Sequence, residues 1–391
     1  MFLFNPYRNA RQAYSCGSEI IKVNWKTNLN TSPDFGAEST AVIDKEGNIY
    51  FGSHSGNFYS LSKAGKIRWV FTTKTKIYSS PVLYFDSVFF AGGDGFLYSL
   101  SADNGQLRWK RELSKSLGLS RKQKALSVIR HIPYTFDFNR KKNITYKSWA
   151  SPNMIGQKIL VTGYGKGLYC YNENGALEWE YDLGFPRYQL TGVVIDRSNK
   201  IYCTSRKGFI HCLNQNGKLI WEKKIKSKWE PWGNPVFCDQ KNTIYFSFSY
   251  KEKSGFVYAI TTDGNLLWNL KTGAIRGSIA ISSNAQILYG CDLDGYLYKI
   301  EAASGKVLIK KKITDCPRGL WITPTLDAEE NILLSTKDSS NTGRVIKLDP
   351  DFNFQWTFKT NKVLSVPVVL SNGDVLFGSW DGCYYSLKTK K

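Results

Sequence analysis

The chain has 391 residues, 42% of them hydrophobic and 15% aromatic, which describes a globular protein rich in strand formers and excludes a disordered one. Fifty-three basic against 32 acidic residues leave a net charge of +21, which favours anionic partners and a salt-sensitive association. No apolar run reaches the ~18 residues needed to span a bilayer. The eight cysteines form no CxxC pair and the three histidines cannot build a His-rich metal centre, so the expectation is neither a metal nor a membrane partner.

Residues 1–19 read as an N-terminal tail. Met1-Phe2-Leu3-Phe4, followed by Asn5-Pro6, is shorter than the ~7–15-residue apolar core of a signal peptide. Ala13-Tyr14-Ser15-Cys16 has the look of a lipoprotein cleavage site but lacks that core, and the expected location is cytoplasmic. From residue 20 onward, short alternating strands bounded by Gly, Asn and Asp turns succeed one another every ~8–12 residues, the signal of an all-β fold.

The strands fall into repeated units. Each opens on a small residue or proline beside an apolar one, at Ala41, Pro81, Pro152, Val193, Pro235, Ile279, Pro324 and Pro367. These anchors are spaced by 40, 71, 41, 42, 44, 45 and 43 residues, and the outlier is one unit plus an insertion. A polar turn, a second strand, a Gly-rich turn and a third strand such as Leu97-Tyr98-Ser99-Leu100 follow. The fourth strand ends on a tryptophan in seven places: Trp25, Trp69, Trp109, Trp179, Trp221, Trp268 and Trp356. Five of these read Gly-x-φ-x-Trp, as in Gly65-Lys66-Ile67-Arg68-Trp69. A period in the forties with four strands per unit predicts propeller blades. The last unit has three strands, and Ile20-Ile21-Lys22-Val23-Asn24-Trp25 supplies the missing one. The prediction is one eight-bladed β-propeller over residues 20–391, closed by its N-terminal strand, with a basic insertion at 110–148 between blades two and three.

The Gly-x-Leu-Tyr-x-Leu and Asn-Gly-x-x-x-Trp pattern resembles the pyrroloquinoline-quinone-type propeller repeat. That repeat occurs in quinoprotein dehydrogenases and in the outer-membrane-assembly lipoprotein propeller, and it serves enzymes and scaffolds alike. The resemblance implies that the repeated Trp docks between neighbouring blades. Blade six has Ile309 at that position, so looser packing is expected there. The family's dehydrogenases use adjacent cysteines in a disulfide and a calcium held by acidic and amide groups. This chain has no Cys-Cys pair, which sets pyrroloquinoline quinone aside as a cofactor and leaves none expected.

Function is read from the five tryptophans the repeat does not use. In a four-stranded blade, connections between strands two and three, and from strand four to the next blade, share one face, here called the top. Counting three residues before each anchor gives Glu38, Tyr78, Trp149, Leu190, Trp232, Arg276, Trp321 and Leu364 around the mouth of the central channel. Trp229 and Tyr188 lie in connections of the same kind, and Trp380 lies in a top-face turn, where blade one offers His54. Top-face loops also bring Lys74, Lys76, Arg187, Lys226, Lys228, Arg318 and Lys362. The bottom turns carry many of the acids, among them Asp44, Asp196, Asp327 and Asp374. Counted over 111–150, the insertion holds ten basic and two acidic residues, and Ser120 through His131 reads as a short basic helix leaning over the mouth.

Indoles and guanidinium groups around one opening suit a small anionic or aromatic-bearing ligand, or a peptide. Arg276, opposed across the ring by Glu38, is the expected orienting pair; a salt bridge from Arg276 to a neighbouring loop is the plainer alternative. Glu38 could act as a general base if aromatic walls desolvate it, and His54 as an acid or base on the same face. Cys316, beside Pro317-Arg318, is a candidate nucleophile. Structural roles stand beside each of these, and whether catalysis occurs is left open. Two other readings remain: a scaffold docking an acidic partner on the basic face, and single-stranded nucleic-acid binding by interleaved basic and aromatic residues.

Overall fold

The computed structural model describes residues 10–29, 36–73, 75–113, 150–163, 167–183, 190–205, 208–225 and 230–390. Eight antiparallel four-stranded sheets follow one another around the ring. The first blade is Val42–Ile43, Ile49–Gly52, Asn57–Leu61 and Ile67–Thr72, counted from the channel outward. The eighth combines Val368–Val369, Val375–Gly378 and Cys383–Lys390 with Glu19–Asn28, the predicted closure. That strand pairs over its full length, from Glu19 opposite Lys390 to Asn28 opposite Cys383.

Burial explains the residue choice along each blade. Second and third strands lie between neighbouring sheets and are apolar on both faces, as in Ile49–Gly52, where every residue is buried. Outer strands have one exposed flank and alternate, as in Ile67–Thr72. The hydrophobic residues accordingly gather into eight clusters, one at each seam between blades, and not around a single centre.

The repeated tryptophans lock those seams. Trp25, Trp69, Trp109, Trp179, Trp221 and Trp268 each donate their indole N–H to a carbonyl in the outer turn of the next blade, at 2.8–3.2 Å. Trp356 donates to Gly17 at 3.1 Å. The glycine of the next blade's Gly-x-φ-x-Trp receives the ring: a Cβ on Gly65 would sit 2.5 Å from Trp25, and one on Gly105 2.6 Å from Trp69. These glycines also hold positive φ, 78° and 73°, so both space and backbone require them.

The sixth seam corrects the expectation of loose packing. Where Ile309 replaces the tryptophan, the next blade replaces the receiving glycine by Phe352, at φ 68°. Phe352 is fully buried and belongs to the cluster that Ile309 packs against.

Residues 10–17 are not a free tail. Leu326 accepts from the Gln12 N–H at 2.8 Å and donates to the Ala10 carbonyl at 2.9 Å, on the channel-facing edge of the seventh blade's inner strand. The Gln12 amide bridges Thr325 and the Pro367 carbonyl, both at 3.1 Å, and accepts from the Val369 N–H at 2.5 Å. Buried Lys347 pairs with Asp327 at 3.3 Å and donates to the Cys16 carbonyl at 2.6 Å.

Several acids on the bottom turns are engaged within their own blades. Asp44 and Asp196 on bottom turns each accept a backbone N–H and a tyrosine hydroxyl from their own blade, and Asp196, Asp327 and Asp374 are buried. These acids close turns and do not form an open anionic face.

Candidate functional site

The connection from each outer strand must cross the top of the ring and turn down at the axis. Residues three places before each inner strand therefore converge. Glu38, Tyr78, Leu190, Trp232, Arg276, Trp321 and Leu364 all border one cavity of about 220 Å³. Trp149 falls outside the described residues, although its neighbours Ala150 and Ser151 line the same space. Trp229, Tyr188, Lys74, Arg187, Lys226, Lys228 and the proposed 120–131 helix also lie outside them.

Just below the rim, short polar side chains form a belt. The N–H of Thr40 donates to Ser80 Oγ and that of Ser80 to Ser151 Oγ, both at 2.9 Å. Gly192 donates to Asn234 Oδ1 at 2.7 Å, Asn234 to Ser278 Oγ at 3.0 Å, and Ser278 to Thr323 Oγ1 at 2.8 Å. Each bond ties a backbone N–H of one blade to a side chain of the next. Gly192 and Val366 interrupt the series, because neither carries an acceptor.

Arg276 is the centre of the rim. Its guanidinium carbon lies 3.3 Å from the ring centroid of Trp232 and 5.0 Å from that of Trp321, and its side chain is 3% exposed. A cation held flat against an indole face gains the quadrupole attraction and loses little rotamer entropy. Its charge is met by Glu252, not by Glu38. Glu252 sits at the tip of the hairpin between Thr243–Tyr250 and Ser254–Thr261, two eight-residue strands that carry it up to the rim. Lys251 and Glu252 both adopt positive φ there. The same carboxylate binds Arg318, which lies 5.9 Å from Trp321, so two arginines share one acid. Trp321 is 39% exposed and Arg318 is exposed.

The expected Arg276–Glu38 pair does not form, because each has a nearer partner. Glu38 Oε2 is 2.9 Å from His54 Nε2. His54 is buried, its ring edge-on to Tyr78 at 4.5 Å and to Trp380 at 5.4 Å, while Lys362 Nζ stands 3.5 Å over Trp380. This second aromatic–cation cluster packs against Glu38 and Tyr78 at the seam of blades eight and one. Cys316 is half-buried in the loop that brings Arg318, its thiol 3.6 Å from the Pro317 carbonyl. Glu252 escaped the sequence reading; the length of its hairpin strands, both rich in Phe, Tyr and Ser, was the available signal. Among the described residues, no group of three His, Cys, Asp or Glu could hold a metal ion, and no helix is long and apolar enough to cross a membrane.

Eight four-stranded sheets with an indole docked at seven seams define an eight-bladed β-propeller. The profile of the family described as outer membrane protein assembly factor BamB matches residues 17–133. Among solved structures, BamB from Moraxella catarrhalis is similar at TM-score 0.68 and 15% identity, covering 95% of this chain and 100% of its own. A europium-containing methanol dehydrogenase is similar at TM-score 0.71 and 11% identity, with 96% of this chain and 88% of its own covered. The computationally designed Ika8 protein follows at TM-score 0.62 and 11% identity, with 97% and 99% covered. At such identities the likeness shows the fold. No curated protein matches the sequence.

Proposed function

We propose that this propeller is a binding module whose top-face mouth docks a segment of a partner polypeptide bearing carboxylate and aromatic side chains. One observation carries the reading: Arg276 is clamped between Trp232 and Trp321 at the rim, with one indole and Arg318 left open to solvent. The exposed face of Trp321 offers stacking area, and the exposed Arg318 guanidinium beside it attracts a carboxylate. A cavity of about 220 Å³ lies below the ~300–1,000 Å³ of pockets that enclose whole metabolites, which favours a side chain presented by a larger partner. The similar BamB propeller is named as an assembly factor, in keeping with a docking role.

A quinone cofactor fits this rim poorly. The chain has no adjacent cysteines, Glu38 is engaged by His54, and Glu252 is shared by two arginines. The testing experiment is a titration of intrinsic tryptophan fluorescence with a peptide carrying Glu and Trp side by side. Saturable quenching is expected, with affinity reduced about tenfold or more in Trp321→Ala, as for a central interface indole. Unchanged affinity in that variant would end the proposal. A free aromatic carboxylate that binds as tightly as the peptide would replace the docking reading with a small-ligand one.

A further inference from the structure

The top-face turn between second and third strands follows one plan in blades one, two, four, six and eight. It closes on a glycine in the left-handed region, at Gly56, Gly95, Gly208, Gly295 and Gly382, with φ of 78–87°. The fifth blade abandons this plan. Its second and third strands run on until Tyr250 pairs with Ser254, and the Lys253 N–H donates to the Tyr250 carbonyl at 3.1 Å. The turn residues are Lys251 at φ 47° and Glu252 at φ 59°. A hairpin turn of this hand favours Asn-Gly, because a Cβ is strained at both positions.

Arg318, at φ 59°, carries the same strain. Of the ten non-glycine residues described at positive φ, six lie in bottom turns; the three in top-face connections are Lys251, Glu252 and Arg318. All three belong to one ionic group. One oxygen of the Glu252 carboxylate meets Arg276 and the other meets Arg318, from the two blade connections that follow. The hairpin is anchored below its tip. Ser249 and Glu230 exchange backbone bonds at 2.8 and 2.9 Å, and Gly255 packs so closely on the Gly273 carbonyl that a Cβ would sit 2.4 Å from it. Residues 250–254 project past those anchors. Strain kept where Asn-Gly would relieve it points to a use for the contact other than stability.

We propose that Glu252 is an internal stand-in for the partner's carboxylate, a latch that an incoming acidic side chain displaces from Arg276 and Arg318. The inference rests on the docking reading of the mouth and adds its selectivity. The displacing group must itself be a carboxylate able to bridge both arginines, next to a ring that covers the exposed Trp321. A neutral segment cannot offset the loss of two ion pairs and is refused. Release relieves the turn, while Arg276 stays stacked on Trp232 at 3.3 Å from its ring centroid.

The test is hydrogen exchange of the full chain, read by mass spectrometry over the tip 250–254, with and without the Glu–Trp peptide of the fluorescence titration. Binding ordinarily protects amides; here the tip should exchange about threefold faster, or more, in the saturated complex. In Glu252→Gln it should exchange at the faster rate without peptide, and the peptide should bind about tenfold tighter. A Gln–Trp peptide should leave the wild-type tip closed. A tip that is protected or unchanged in the saturated complex would overturn the latch, as would equal or weaker binding to Glu252→Gln. If that variant folds poorly, exchange in the wild-type chain decides alone. Absence of saturable binding to either chain would end the docking reading and the latch with it, whereas binding without tip release ends the latch only.

Discussion

At the scale of single residues, the exchange at the sixth seam is the sharpest lesson. An indole on one blade and a glycine on the next form one unit, and here both are replaced together by Ile309 and Phe352. The sequence motif announced the missing tryptophan, but Phe352 was invisible as its counterpart because it sits 43 residues away in a turn that normally demands glycine. Phe352→Gly should cost about 3–5 kcal/mol in chemical denaturation, the range for emptying a buried aromatic site. Adding Ile309→Trp should restore more than half of that loss; a double variant no better than the single would show that the two positions are not coupled. The thiols give a second residue-scale expectation. Seven of the eight cysteines are buried, and burial pushes Cys16, Cys170 and Cys212 up to about 12. With an aromatic disulfide reagent at pH 8, one thiol, that of Cys316, should react quickly and the rest only on unfolding.

At the scale of elements, strands and their order were legible because period, turn residues and alternation all report one geometry. Top-face loops were legible in position but not in pairing. Equivalent positions in the repeat located Glu38, Tyr78, Trp232, Arg276 and Trp321 around the opening, since that placement follows from connection geometry alone. Which carboxylate meets which arginine depends on hairpin length, and Glu252 reaches Arg276 on strands longer than in most blades. Glu252→Gln should therefore remove the carboxylate that both arginines share and strengthen binding of an acidic peptide at the mouth, checked by the fluorescence titration; weaker binding would mean that Glu252 positions the guanidinium groups. Residues 1–19 read as a tail, and the anchoring of 10–17 is a matter of long-range partners that the sequence does not show. Lys347→Met would leave Asp327 buried without its cation. A loss of about 3–5 kcal/mol is expected, measured by thermal or denaturant unfolding.

At the scale of the molecule, the basic side chains among the described residues do not gather on one face. Many bottom-turn acids are consumed in turns, and lysines spread along outer strands, as the run Lys310, Lys311 and Lys312 in Val307–Lys312 shows. Composition alone carries no map of this. Ring closure is the other property of the whole. Removing residues 10–28 takes away the eighth blade's outer strand, the Gly17 acceptor of Trp356 and the Gln12 bridge. The truncated chain should lose its single cooperative unfolding transition, as followed by circular dichroism and tryptophan emission together; an unaltered, coincident transition would mean the clasp is dispensable.

That clasp also fixes an order of events in the cell. Lys390 lies opposite Glu19, and Gly17 is bonded to Thr389, so the eighth sheet joins parts of the chain more than 370 residues apart. A ribosome emitting ~5–20 residues per second would deliver the first blades many seconds before the last. Through that interval the growing arc has an unsealed flank and an idle leading strand, both able to pair with the wrong neighbour. Yield on expression should thus depend less on the strength of the finished ring than on how well the nascent arc is sheltered until its final strand emerges.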